Sequence, residues 1–164
     1  MKATDISTST TTVEADPDLP IIRITRDFAA TSEQLFRAHT DPELYAQWVG
    51  PHDLVCTIEH WDARPGGSWS FRHSRDGEEF GFRGCFHEVR PDRVVQTFCF
   101  DGQPDDVALE TLWFEDLGGG RTRLHAQSLV DSMEGRDAWL ASGMESGIDE
   151  GYTKLERMLA DGAV

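Results

Sequence analysis

At 164 residues and 18.4 kDa, the chain has room for one domain and little else. Apolar residues make up 38% of it and include nine Phe and five Trp, enough for a packed core, which excludes a wholly disordered chain. Thirty acidic against fifteen basic residues give a net charge of −15, which repels phosphate backbones and anionic headgroups and argues against nucleic-acid and membrane-surface partners.

Residues 1–19 carry TSTTTVEADPD and little to bury, so they read as a flexible polar tail. They lack the apolar stretch of a secretory signal. The single folded domain is expected over residues 20–162. IIRITRDF sets Ile22, Ile24 and Arg26 against Ile21, Arg23 and Thr25, the alternation of a strand. Thr31-Ser32 then supplies a helix cap, and SEQLFRAH puts Leu35, Phe36 and His39 on one side of a short helix. Asp41 caps a second short helix with Pro42 at its first position. That helix aligns Leu44, Tyr45 and Trp48, and Gly50-Pro51 ends it.

Six strand-length runs follow: LVCTIEHW, SWSFRHS, FGFRGCFHEV, RVVQTFCF, VALETLWFED and RTRLHAQSLV. Their separators, RPGG, RDGEE, RPD, DGQPDD and LGGG, have turn chemistry and are short enough to dictate an antiparallel meander. Gly66-Gly67 and Gly118-Gly119-Gly120 read as hairpin tips, and Gly84 as a bulge or bend. Residues 132–161 predict one long helix, with Trp139, Met144, Ile148, Tyr152 and Leu155 at threes and fours. Gly143, Gly147 and Gly151 form a small-residue stripe suited to close approach or to leaving room beside the helix. The predicted fold is therefore α+β: seven antiparallel strands curved around a long C-terminal helix, with two short helices after the first strand.

FRAHTDPELYAQWVGP (Phe36–Pro51), DARPGGSWSF (Asp62–Phe71), DGEEFGFRGCFHEVRPDRVVQTF (Asp76–Phe98), GGGRTRL and the Gly-rich last helix together resemble the START-like (SRPBCC) superfamily. The branch they resemble is named after the C-terminal domain of the activator of heat-shock-protein-90 ATPase. The resemblance spans about residues 20–162. It implies a helix-grip fold with a cavity between sheet and helix. It also implies the superfamily's range of activities: binding of lipids, sterols or polyketides, and in some members cyclase or oxygenase-subunit roles. It transfers no catalytic motif. Only the polar tail stands where the eukaryotic activator has its chaperone-binding domain, so the name carries over more readily than chaperone activation.

The candidate ligand-binding residues follow from strand phase. Trp69, Phe71 and His73 share one face of their strand, Phe82 and Phe86 the next, and Phe98 repeats the pattern. Glu110 lies in phase with Leu112, the helix offers Met144, Ile148 and Tyr152, and Trp48 sits where a cavity mouth would be. The same aromatic residues would equally serve as an ordinary core. His73 and Glu110 are the polar members, and burial would shift either pKa. Their plainer readings are a solvated histidine near a turn and a Glu110–Arg123 ion pair.

The six histidines and the cysteines Cys56, Cys85 and Cys99 show no ligand spacing, so no metal, cofactor or disulfide is expected. The cysteines read as buried, reduced thiols in a cytoplasmic protein. The leading expectation is a binding protein for an apolar or amphipathic small molecule. The alternatives are a cyclase- or hydrolase-type enzyme using His73 or Glu110, and a chaperone-ATPase co-factor. An exposed edge strand, either the first strand or the DVALETLW run, could pair two copies into a homodimer, and the oligomeric state is left open.

Overall fold

The computed structural model describes residues 10–164, and eight strands and four helices lie within them. The strands β1 (Thr12–Ala15), β2 (Ile21–Phe28), β3 (Val55–Trp61), β4 (Ser68–Arg75), β5 (Glu78–Arg90), β6 (Arg93–Phe100), β7 (Val107–Gly118) and β8 (Arg121–Leu129) form one antiparallel sheet. Its order is β1-β2-β8-β7-β6-β5-β4-β3. Helices α1 (Ser32–Thr40) and α2 (Pro42–Trp48) follow β2, and α3 (Met133–Ala141) and α4 (Met144–Ala160) close the chain.

The meander arises as the turn chemistry predicted, and the two short helices form where their caps stand. Thr31 and Gln34 make a reciprocal capping box at α1. Asp41 serves both helices. Its N–H donates to the Arg37 carbonyl at 2.9 Å, and its carboxylate accepts from the N–H of Glu43 at 2.9 Å. One residue thus ends α1 and starts α2.

Several expectations need correction. The sheet has eight strands rather than seven, because Thr12–Ala15 pairs with Thr25–Ile22 inside the supposed tail; residues 1–9 lie outside the described residues. Arg26 adds a side-chain tie to this segment. It is buried on the inner face of β2, where Nη1 donates to Thr11 Oγ1 (2.8 Å) and Asp149 Oδ1 (3.1 Å) and Nη2 to Glu156 Oε2 (3.0 Å). A guanidinium in that position needs partners on both sides, and the N-terminal segment provides one. Next, the last helix is broken. Gly143 sits at φ +85°, a left-handed conformation that glycine adopts without strain, and divides it into α3 and α4. Neither proposed edge is free, since β2 is covered by β1 and β7 runs between β6 and β8; β1 and β3 are the edges. Finally, Cys85 is exposed and Cys56 only half-buried, so Cys99 alone is the buried thiol expected.

The inner face divides into two packed regions. Ile22, Ile24 and Phe28 of β2, Leu112 and Phe114 of β7, and Leu124 of β8 pack against α1, α2 and α4 through Leu35, Ala38, Trp48, Tyr152 and Leu155. Trp69 and Phe71 of β4, Phe86 of β5 and Val94 of β6 form the second region. The small-residue stripe serves close approach at two of its positions. A Cβ on Gly151 would lie 3.0 Å from the Trp48 carbonyl oxygen, and one on Gly147 would lie 3.4 Å from Pro51 Cγ.

Gly84 is no bulge. It pairs in register with Trp69, and the register shift in β5 falls between Phe86 and Glu88. Its missing side chain lets the Trp69 indole lie over the strand: a Cβ there would come within 2.0 Å of the Thr97 carbonyl oxygen and 2.6 Å of Trp69 Cζ2. Gly84→Ala is therefore expected to destabilise the fold by about 2–3 kcal/mol, as overpacking does, measured by urea unfolding. A change within experimental error would show that the strands separate freely at this point.

Candidate functional site

The centre of the inner face carries a polar row. Ser128 of β8, Glu110 of β7 and Gln96 of β6 are direct cross-strand neighbours, flanked by Ile22 and Phe86. Each follows from strict alternation: Glu110 lies between Ala108 and Leu112, Gln96 between Val94 and Phe98, and Ser128 beyond Leu124 and Ala126. Gln96 Nε2 donates to Glu110 Oε2 at 3.1 Å, and Ser128 Oγ donates to Oε1 at 3.4 Å. Glu110 as a whole is half-buried. Loss of solvation raises its pKa from 4.5 to about 7, against the lowering effect of the two hydrogen bonds.

Tyr45 from α2 and Tyr152 from α4 face the same region. Burial raises both phenols, and the charge of Glu110 pushes them further up. Arg26 acts on Tyr152 in the opposite sense.

The predicted wall residues separate into packed and half-buried sets. Trp69, Phe71 and Phe86 are buried at 1–2% exposure and stack with their neighbours; the Trp69 and Phe71 rings lie 5.4 Å apart and 17° from parallel. Leu112 belongs to the core under α1. Trp48 is buried, donates its indole N–H to the Ala38 carbonyl at 2.9 Å, and stacks on Tyr152 at 5.7 Å. Phe82, Phe98, Met144 and Ile148 are half-buried. Phe98 meets Trp139 of α3 edge-on at 6.0 Å.

His73 is a wedge rather than a solvated side chain. It is buried at 5% exposure against Phe71 and Phe82, and its Nε2 has no hydrogen-bond partner among the described residues. Burial, with a smaller push from Lys154, lowers its pKa to about 4. Gly50, at φ +82°, passes so close that a Cβ there would lie 2.4 Å from His73 Cε1. Cys56, opposite His73 across the β3–β4 pair, is raised to about 11 by burial, which leaves it an unreactive thiol. The expected Glu110–Arg123 pair does not form, because Arg123 Nε donates to Asp27 Oδ1 at 2.7 Å.

Sequence reasoning missed Gln96, Ser128, Tyr45 and Trp139. The signal for the first two was present, a polar residue at an inward strand position, but only the register makes them partners of Glu110. Two surface grooves, of about 280 and 490 Å³, lie elsewhere. One runs along β1, β2 and β8, the other lies at the α3–α4 junction, and none of the predicted site residues lines either. Among the described residues, no three His, Cys, Asp or Glu side chains are grouped to hold a metal, and no helix is long and apolar enough to cross a membrane.

The raised Glu110 pKa has a definite linkage. Between about pH 4.5 and 7 the folded protein keeps a proton that the unfolded chain has released. The stability this group contributes is complete below that window and is lost as pH rises through it. Glu110→Gln is therefore expected to gain on the parent by up to about 3 kcal/mol on going from about pH 4.5 to above 7, read by urea unfolding across that range. His39 and His73, both lowered to about 4, titrate in both proteins and cancel in the difference. A constant difference at all pH values would count against a raised Glu110.

Comparison with known proteins agrees with this architecture. No curated protein matches the chain. A protein from Rhodobacter sphaeroides is 28% identical, with 92% of this chain and 98% of that one covered at a TM-score of 0.82. One from Arthrobacter aurescens is 24% identical, with 92% and 91% covered at 0.83. Protein Ms6760 from Mycobacterium smegmatis is 23% identical, with 93% and 99% covered at 0.82. The latter two share the fold. The profile of the Activator of Hsp90 ATPase homolog 1-like protein family matches residues 29–160, and with its helix-grip sheet the chain belongs to that family, within the START-like superfamily.

Proposed function

We propose that the protein binds an apolar or amphipathic small molecule between the inner face of the sheet and α3–α4. The observation that carries this reading is a contrast in burial on one face. Phe28 and Leu124 of the sheet, and Leu155 of α4 packed against them, are completely sealed. Phe82, Phe98 and Glu110 on the inner face, with Trp139, Met144 and Ile148 on the helices, all keep accessible surface. Inward-facing aromatic and aliphatic groups that retain contact with water leave hydrophobic free energy unrealised, roughly 25 cal/mol per Å². A ligand covering them would recover it, less the cost of its own immobilisation. Family membership supports a ligand-binding domain in general terms.

The short helix α2, with Trp48, Val49 and Pro51 at its end, would stand beside the entrance. Acid–base chemistry is a second reading, favoured by one observation: a carboxyl whose pKa is raised to about 7 is matched to proton transfer at neutral pH.

Native mass spectrometry of protein isolated from its own host tests the binding reading. The expected result is a reproducible excess mass that disappears on denaturation. In Ile148→Trp, a larger ring would occupy the space, and the excess mass should vanish while the circular dichroism spectrum is retained. Binding that survives in this variant would place the ligand elsewhere.

A further inference from the structure

Glu110 is an acid without a counter-ion. Its polar contacts are the Gln96 amide and the Ser128 hydroxyl, both neutral, and it enters no ion pair among the described residues. Arg26, a buried charge on the same face, is already engaged by Asp149 and Glu156 of α4. A half-buried carboxylate with two neutral donors is held in acceptor geometry, yet its charge is unbalanced. Leucine at this position would suit a simple core better.

The surroundings are those a small organic cation uses. Phe98 lies next to Glu110 on the inner face, opposite Ala108, and packs edge-on to Trp139. Tyr45 and Tyr152 are near enough for the Glu110 charge to raise both phenols. Ring faces attract ammonium groups, most strongly where water is excluded. The face thus combines one unbalanced negative charge, aromatic rings and accessible apolar surface.

We infer that the ligand carries a basic nitrogen, a protonated amine on an apolar body, and that Glu110 is the residue that selects it. This inference rests on the binding reading above and adds the chemistry of the polar end. The ammonium would pair with the carboxylate, replacing a counter-charge the protein does not supply, while Gln96 and Ser128 keep the two oxygens oriented. Binding then requires the ionised form of Glu110. The groups that face it are Gln96 from β6, Ser128 from β8, Tyr45 from α2 and Tyr152 from α4. The two phenols, both raised, stay neutral throughout the neutral range. The pH dependence below therefore belongs to Glu110 alone, with affinity for a cation rising as pH rises through about 7.

Three probes with one body test it: 4-phenylbutylamine, 4-phenylbutan-1-ol and 4-phenylbutyrate, titrated into the whole protein and followed by tryptophan fluorescence and calorimetry. At about pH 8 the amine is expected to bind about tenfold or more tighter than the alcohol, and the carboxylate most weakly. At about pH 5.5, where the amine is still charged, the preference should fall towards unity. In Glu110→Gln, which keeps the side-chain shape, the alcohol should bind as before and the preference for the amine should be absent. Equal or tighter binding of the alcohol in the parent at about pH 8, or an amine preference that persists in Glu110→Gln or at about pH 5.5, would overturn the inference while leaving the binding reading intact. Failure of all three probes to bind at millimolar concentration would remove both.

Discussion

The fold depends on how closely the last helix can approach the turn after α2. Gly151 has no side chain, and the backbone of Trp48 and Gly50 fills the place where one would stand. This contact sets the Trp48 indole on the Tyr152 ring and lets its N–H reach the Ala38 carbonyl. One tryptophan consequently links α1, α2 and α4. Aromatic pairs of this kind contribute about 0.5–1.5 kcal/mol beyond the area they bury. The same turn carries Gly50 over His73, which anchors the β3–β4 end of the sheet beneath it. Without this close approach the helices would stand away from the inner face, and the core under α1 would open.

Arg26 is the second tie, of a different kind. A guanidinium on the inner face of a strand is costly unless all its neighbours cooperate, and here they come from α4 and from the segment before β1. The arrangement ties residues 11–15 to the sheet and α4. It also settles the electrostatics of the interior, because Arg26 spends its charge on Asp149 and Glu156 and is not available to Glu110. The two interior charges are thus treated unequally, one neutralised by the protein and the other left open. That asymmetry, more than any individual group, distinguishes the site from an ordinary sheet–helix core.

His39 and His73 serve the packing of the interior. His39 donates from Nδ1 to the Leu35 carbonyl at 2.7 Å and packs edge-on against Trp48; it is a neutral core residue. His73 is similar, and the thiol of Cys56 beside it is pushed away from reactivity. The titratable group that burial brings towards neutrality is Glu110, on a rigid central strand rather than on a loop.

Much of this was legible in one dimension. Alternation of period two marks the inward residues of every long strand, so Trp69, Phe71, Phe98, Glu110 and even Arg26 could be assigned to a face before any pairing was known. The caps Thr31 and Asp41, the glycine-rich hairpin tips and the helical spacing of Met144, Ile148 and Tyr152 are likewise local signals, because each depends on backbone geometry within a few residues. What the tertiary structure alone decided is which of these residues meet. β1 is too short and polar to announce itself, and it is held by pairing with β2 and by Val13 on the core, next to the Thr11 hydroxyl that accepts from Arg26. Gly84 is compatible with a bulge until Trp69 is seen lying over it. Glu110 could equally have faced Arg123, and it meets Gln96 and Ser128 because the register of β6, β7 and β8 places them in one row. Face is a property of the single strand, whereas register is set by the joint burial of all eight, and it is register that makes a lone glutamate into an unbalanced charge at the centre of the molecule.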